Sequence, residues 1–228
     1  MELPPLRSIP FPRYTAEKEA VMRIDSPVIA AGMRMTNLLI LNLFWLIGCL
    51  PLVTIGVSTI AAYTVTLKMV EDCEDYSMTA QFWKAYVKNL KHGIPLSLVL
   101  LAACGSILMD VRMVEAHTGD TTGLLTAGFL LLLLLLIHFL YLFPLEARYQ
   151  NRLMAGVANA RGIFLSYPRR SLILTGILLA EFLLVTQLNT PLRSFSPFFL
   201  PILMIYTVSK AVHPVFRELE QLSGKGGA

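Results

Sequence analysis

The sequence predicts an all-α membrane protein, a polytopic bundle of six transmembrane helices with both termini in the cytoplasm. Three observations carry that prediction. The 228 residues are 55% hydrophobic and only 15% charged, with a mean hydropathy of +0.63. A soluble domain carries about a quarter charged residues, because solvated side chains must cover its core. Apolar runs of bilayer-crossing length recur along the chain, which identifies lipid as the solvent of most of it. Basic residues, finally, collect in alternate loops. The length suits one membrane domain with short loops.

Residues 1–25 form a tail punctuated by Pro4, Pro5, Pro10 and Pro12, with a short helix from Ala16 to Arg23 expected on the membrane surface. No apolar run resembles a cleavable leader, so the first crossing is expected to act as an uncleaved anchor. The membrane domain then occupies 26–212. Its first helix opens at Ser26-Pro27, a capping residue followed by proline at the first helical position, and ends at Pro51. Arg34 lies near the boundary, where its long side chain reaches the interface. The second crossing, from about Leu52 to Leu67, follows with almost no loop. Such an apolar turn must be buried in protein or form a tight hairpin, because lipid satisfies no backbone groups.

Residues 68–92 read as a polar loop. It holds an acidic run, Glu71 to Asp75, expected to be solvated. An amphipathic segment follows, in which Phe82, Tyr86 and Leu90 recur every four residues with Lys84, Lys88 and Lys91 on the flank. Crossings three and four span about Gly93–Val111 and Thr122–Leu145, the latter containing the unbroken run Leu130 to Leu136. The loop 147–170 is again amphipathic. Crossings five and six are Ser171–Gln187 and Phe195–Val212, and 213–228 is a cytoplasmic tail. Leaving out Arg34, sixteen lysines and arginines fall in the N-terminal tail, in loops two and four and on the C-terminal side from Lys210 onward, against Arg112 and Arg193 opposite. Cytoplasmic segments collect basic residues, so both ends are expected inside and the protein in the plasma membrane. Basic residues spread over several loops mark topology and give no footprint for nucleic acid.

Cys49, Cys73 and Cys104 are expected as free thiols, since no two lie together at one oxidising surface. No clustered histidines or Cys-x-x-Cys spacing suggests a metal, and no motif calls for a cofactor. Nor is there a Walker loop, a dinucleotide glycine motif or a nucleophile–base pair, so a non-enzymatic role is expected.

Several residues nevertheless stand out. In the turn Pro51 to Thr59, the hydroxyls of Thr54, Ser58 and Thr59 and the N–H groups near Gly56 gather at a helix N-terminus. That arrangement can hold an anion or polar ligand at a broken helix. Equally, Gly56 and Ser58 let helices pack closely. Glu181 lies near mid-bilayer, where a charge costs roughly 2.5 kcal/mol or more. His138 lies at similar depth, so the two are expected to pair, as a proton-linked switch or as helix-joining glue. Asn37 and Asn42 in the first crossing call for interhelical hydrogen bonds. Phe82, Trp83, Tyr86 and Asn89 are candidates for docking a partner or for lying on headgroups.

The stretches Asn37-Leu-Leu-Ile-Leu-Asn42-Leu-Phe-Trp45, Leu50-Pro51-Leu52-Val53-Thr54-Ile55-Gly56 and Phe82-Trp-Lys-Ala-Tyr86-Val-Lys-Asn89 resemble the YesL-like family of bacterial integral membrane proteins (domain of unknown function 624). The resemblance covers about 37–89 and the rest by hydropathy alone. It implies a link to carbohydrate uptake, with ABC sugar-importer subunits as partners through the cytoplasmic loops, and it brings no activity to carry over. Loop four adds a smaller likeness. Glu146-Ala147, Gly156, Phe164 and Pro168 resemble the cytoplasmic coupling loop of ABC-importer permeases, though the interval from glutamate to glycine is longer and an Asp-Gly pair is missing. A small independent transporter is the competing expectation.

Overall fold

The computed structural model describes residues 27–71, 78–116, 122–149, 153–187 and 196–225. These are helical, and no strand occurs among them. In chain order the helices are α1 (Pro27–Cys49), α2 (Ile55–Val70), α3 (Met78–Ala116), α4 (Thr122–Ile137), α5 (Phe143–Tyr149), α6 (Leu153–Ser166), α7 (Pro168–Thr186) and α8 (Leu200–Lys225). A short 3₁₀ turn, Leu52–Thr54, precedes α2, and a π-helical turn, His138–Leu142, joins α4 to α5. Three helical stretches are long and apolar enough to cross a membrane: Ala31–Cys49, Leu52–Val70 and Met78–Val114. The N-terminal tail, the acidic run beyond Glu71, Cys73 and Arg193 lie outside the described residues. Cys49 and Cys104 are free thiols.

The chain divides into two compact units, residues 1–38 and 39–228. The described part of the first is a single helical stretch in which the Thr36 hydroxyl donates to the Gly32 carbonyl at 3.0 Å. Asn37 is half-buried there.

In the second unit α2 is the axis. Gly56 through Tyr63 are buried without interruption, followed by Val65, Thr66, Leu67 and Met69. A helix buried all round needs neighbours on every side, and α3, α5 and α8 supply them. The close fit to α3 rests on glycines. A Cβ on Gly93 would lie 2.7 Å from the Val57 Cα, and one on Gly56 would lie 2.9 Å from the Gly93 carbonyl oxygen. Ser97 completes the contact, accepting the Gly56 N–H at 2.7 Å while its hydroxyl donates to the Gly93 carbonyl at 2.9 Å.

This contact fixes a register that hydropathy did not specify. Six alternating crossings would put the turn before α2 level with the far end of the third crossing. In the structure, Gly56 instead meets Gly93 and Ser97, where that crossing begins. Helix α3 has 39 residues and runs unbroken through Pro95. At about 1.5 Å per residue it is roughly twice as long as the hydrocarbon layer is thick. Its part before Gly93, expected as a loop, packs into the bundle through Phe82, Ala85 and Asn89, and Leu96 and Ser97 continue the same buried face. Its second half packs on α4 and exposes Leu108, Met109, Val111 and Met113.

Candidate functional site: a polar junction and cleft at one end of the bundle

Most polar groups within the bundle are committed to one another. The Thr66 and Ser209 hydroxyls share a buried hydrogen bond of 2.7 Å between α2 and α8, and Tyr141 and Ser171 share another of the same length. Asn42 donates through Nδ2 to the Phe198 carbonyl, in the 3₁₀ turn Ser196–Phe198 before α8, at 2.6 Å. Glu181 on α7 accepts from the Thr207 hydroxyl of α8 at 2.7 Å, so that bond joins the two helices. Its other oxygen is buried and has no hydrogen-bond partner among the described residues. His138 sits in the π-helical turn, and its side chain lies outside what the structure describes.

The turn before α2 is likewise spent on its own packing. The Thr54 hydroxyl donates to the Gly48 carbonyl at 2.8 Å and Pro51 remains exposed. Ser58 donates to the Trp45 carbonyl, while Thr59 accepts the Trp45 indole N–H at 3.2 Å and donates to Ile55. The Gly56 N–H is taken by Ser97. Nor do the docking candidates form one surface. Phe82 and Asn89 are buried, Asn89 donating to the Ala85 carbonyl, and the Tyr86 hydroxyl reaches the Gly48 carbonyl at 3.3 Å. Trp83 is exposed at the edge of an aromatic cluster with Phe44, Phe82 and Tyr86.

Charged groups gather elsewhere, where α2, α5 and α8 end together. Arg148 of α5 donates from Nη1 to Glu71 Oε1 at 2.6 Å and from Nε to Glu220 Oε1 at 2.9 Å. The Tyr149 hydroxyl donates to the same Glu220 oxygen at 2.6 Å, and His213 Nε2 lies 3.5 Å from Glu71 Oε1. The Arg148 guanidinium also lies over the rings of Tyr149 and Phe216, 5.9 Å from each centroid. Hydrogen bonds from Tyr149 and Arg148 hold the Glu220 carboxyl below its ordinary range. Burial and the Glu220 contact push the Tyr149 phenol up to about 12. Glu71 was expected to be solvated; it is instead half-buried in an ion pair, because the chain returns Arg148 to it after a separation of 77 residues.

Beside this network lies Glu146, one residue past the expected fourth crossing and 2% exposed. Its Oε1 has no hydrogen-bond partner among the described residues. The carboxyl presses on Gly156 of α6, filling the space a Cβ would take, and Leu142 borders the same space. Burial pushes its pKa up, and the nearby His92 opposes the rise. A carboxyl held up in this way favours folding below the ordinary carboxylate range, and that stability is lost as pH rises toward its folded value. Replacing Glu146 with Gln is therefore expected to remove this contribution, so that thermal stability falls less as pH rises above the ordinary carboxylate range. A variant as pH-sensitive as the wild type would show that Glu146 does not set this dependence.

A cleft of about 770 Å³ opens next to the network, between α5, α6 and α8. Tyr149 and Glu220 form one wall, and Asn159, Gly162, Ser166 and Tyr167 the other. Leu145, Ile163 and Leu219 supply apolar surface. The amphipathic pattern of loop four announced a helix here, yet nothing in the sequence showed that Arg148, Glu71 and Glu220 converge.

Residues 38–111 match a family described as "Protein of unknown function, DUF624". The matched stretch runs from α1 to the apolar half of α3 and so contains the Gly56–Gly93 contact and its Ser97 hydrogen bonds. No curated protein and no solved structure matches the chain. Among the described residues, no group of three or more His, Cys, Asp or Glu is placed to hold a metal ion.

Proposed function

We propose that this protein is a multi-pass plasma-membrane protein with six crossings and both termini in the cytoplasm, acting as a non-enzymatic accessory or regulatory component of a carbohydrate importer. The carrying observation is the distribution of polar groups. Those inside the bundle are paired between helices, whereas charged side chains and an open cleft collect at the end formed by α5, α6 and α8. On the positive-inside count that end is cytoplasmic, where an importer's ATPase and coupling segments would be met. The importer connection rests on the resemblance to YesL-like bacterial proteins, while the matched family, of unknown function, is compatible with an uncharacterised membrane protein.

Copurification from native membranes tests the role. An ABC-type permease or ATPase subunit retained with the protein is the expected result. Substrate flux by the purified protein alone in liposomes would replace this reading with that of an independent transporter. The topology has its own test. Cysteines placed at Leu52 and at Lys88, in a background lacking native cysteines, are expected to react with an impermeant reagent from opposite faces. Labelling of both from one face would reduce the crossings to fewer than six and leave the α1–α2 hairpin shallow, in keeping with its register against Gly93.

A further inference from the structure

The geometry points to the α5–α6–α8 cleft as a binding site for a neutral polyhydroxylated ligand of the pyranose type. Its volume, about 770 Å³, lies within the range of small-molecule sites. The class of ligand follows from which lining groups are already occupied.

Charge is cancelled at the walls. Both Glu220 oxygens accept from Arg148, and one also takes the Tyr149 hydroxyl. Arg148 is itself paired with both Glu71 and Glu220. Arg170 pairs with Glu218 and lies over the Tyr167 ring at 5.2 Å from its centroid. An anionic ligand would therefore find no guanidinium or ammonium among the described lining residues, and a cationic one would have to compete with Arg148 for Glu220.

The Asn159 amide and the Ser166 and Tyr167 hydroxyls, in contrast, make no side-chain hydrogen bond among the described residues. Amides and hydroxyls both donate and accept, which matches the vicinal hydroxyls of a sugar ring. Leu145, Ile163 and Leu219 offer the apolar patch that the C–H face of such a ring covers. Gly162 keeps the cleft open, since a Cβ there meets nothing within 4 Å.

This assignment deepens the proposed function and rests on it for the side of the membrane from which ligand arrives. The full chain, reconstituted in nanodiscs free of glycoside detergent, is titrated with glucose and maltose by calorimetry, with glucose 6-phosphate as the charged comparison. Saturable binding of a neutral sugar is expected, weakened about tenfold by Asn159→Ala, the loss of one good hydrogen bond. Gly162→Leu fills the cleft and is expected to abolish binding while the thermal unfolding temperature stays unchanged. Absence of saturable neutral-sugar binding, tighter binding of the phosphate ester, or full binding by the folded Gly162→Leu protein would each overturn the assignment. Retention of importer subunits by a chain that binds no sugar would remove the cleft assignment alone. Sugar binding by a chain that retains no such subunit would uphold the cleft and remove the importer partnership.

Discussion

Gly93→Ala is expected to destabilise the protein by about 3 kcal/mol or more, at the upper end of what overpacking a core costs. The added methyl would lie 2.6 Å from the Val57 Cγ2, 2.7 Å from its Cα and 2.9 Å from its backbone nitrogen. A side chain can rotate out of the way, but a backbone cannot. Helices α2 and α3 would have to separate, and the Gly56 N–H would then lose the Ser97 hydroxyl inside an apolar core. For a chain of this size the loss corresponds to a fall in unfolding temperature of roughly 10 °C, readable by thermal scanning in detergent. Gly105→Ala is the control, because nothing lies within 4 Å of a Cβ there and alanine favours a helix interior. Equal responses from the two variants would mean that the α2–α3 contact does not organise the bundle.

Arg148→Met is the second large effect, with an expected cost of roughly 2 kcal/mol from charge-assisted hydrogen bonds lost. The side chain is 21% exposed and joins three helix ends, so its replacement removes the guanidinium that Glu71 and Glu220 share. Arg170→Met breaks an ion pair whose partners are about half exposed and should change stability by less than about 0.5 kcal/mol. The double variant Arg148→Met with Glu71→Gln should be less destabilised than the sum of its parts, since the two residues share one interaction. Additive losses would show that the network contributes nothing as a unit.

The pH response of that junction has two limbs. Glu220 titrates lower in the folded protein than in the unfolded chain. Its contribution is complete above the ordinary carboxylate range and disappears as pH falls through the folded value. Tyr149 is shifted upward to about 12, so the stability it supplies is complete below the ordinary tyrosine value near 10 and is lost between there and about 12. Arg148→Met should weaken the acid limb, because its hydrogen bonds help to hold the Glu220 carboxyl down.

The single-residue expectations divided along physical lines. The demand that Asn42 find a hydrogen-bond partner was legible, because an amide in an apolar helix must be satisfied wherever its neighbours lie. Glu181 was legible for the same reason, but its observed partner, Thr207, is an ordinary residue in a run of similar ones, and only packing of α7 on α8 selects it. Glu71 carried no such signal, since an acidic run before a polar segment reads as solvated until Arg148 is brought back to it. Phe82 and Asn89 looked available because an amphipathic segment has a face to cover; α2 and α1 turned out to cover it.

Local composition alone carries two things: that the described residues are helical, and that stretches of them are long and apolar enough to cross a membrane. Both follow because hydrocarbon excludes charge and unpaired backbone residue by residue. Tertiary structure alone decided the axial register of α2 on α3, the meeting of Glu71, Arg148 and Glu220, and the opening of the cleft beside them. Hydropathy is nearly indifferent to sliding one apolar helix along another. Short-range contacts such as Gly93 on Val57 break that indifference, and they exist only after the chain has packed.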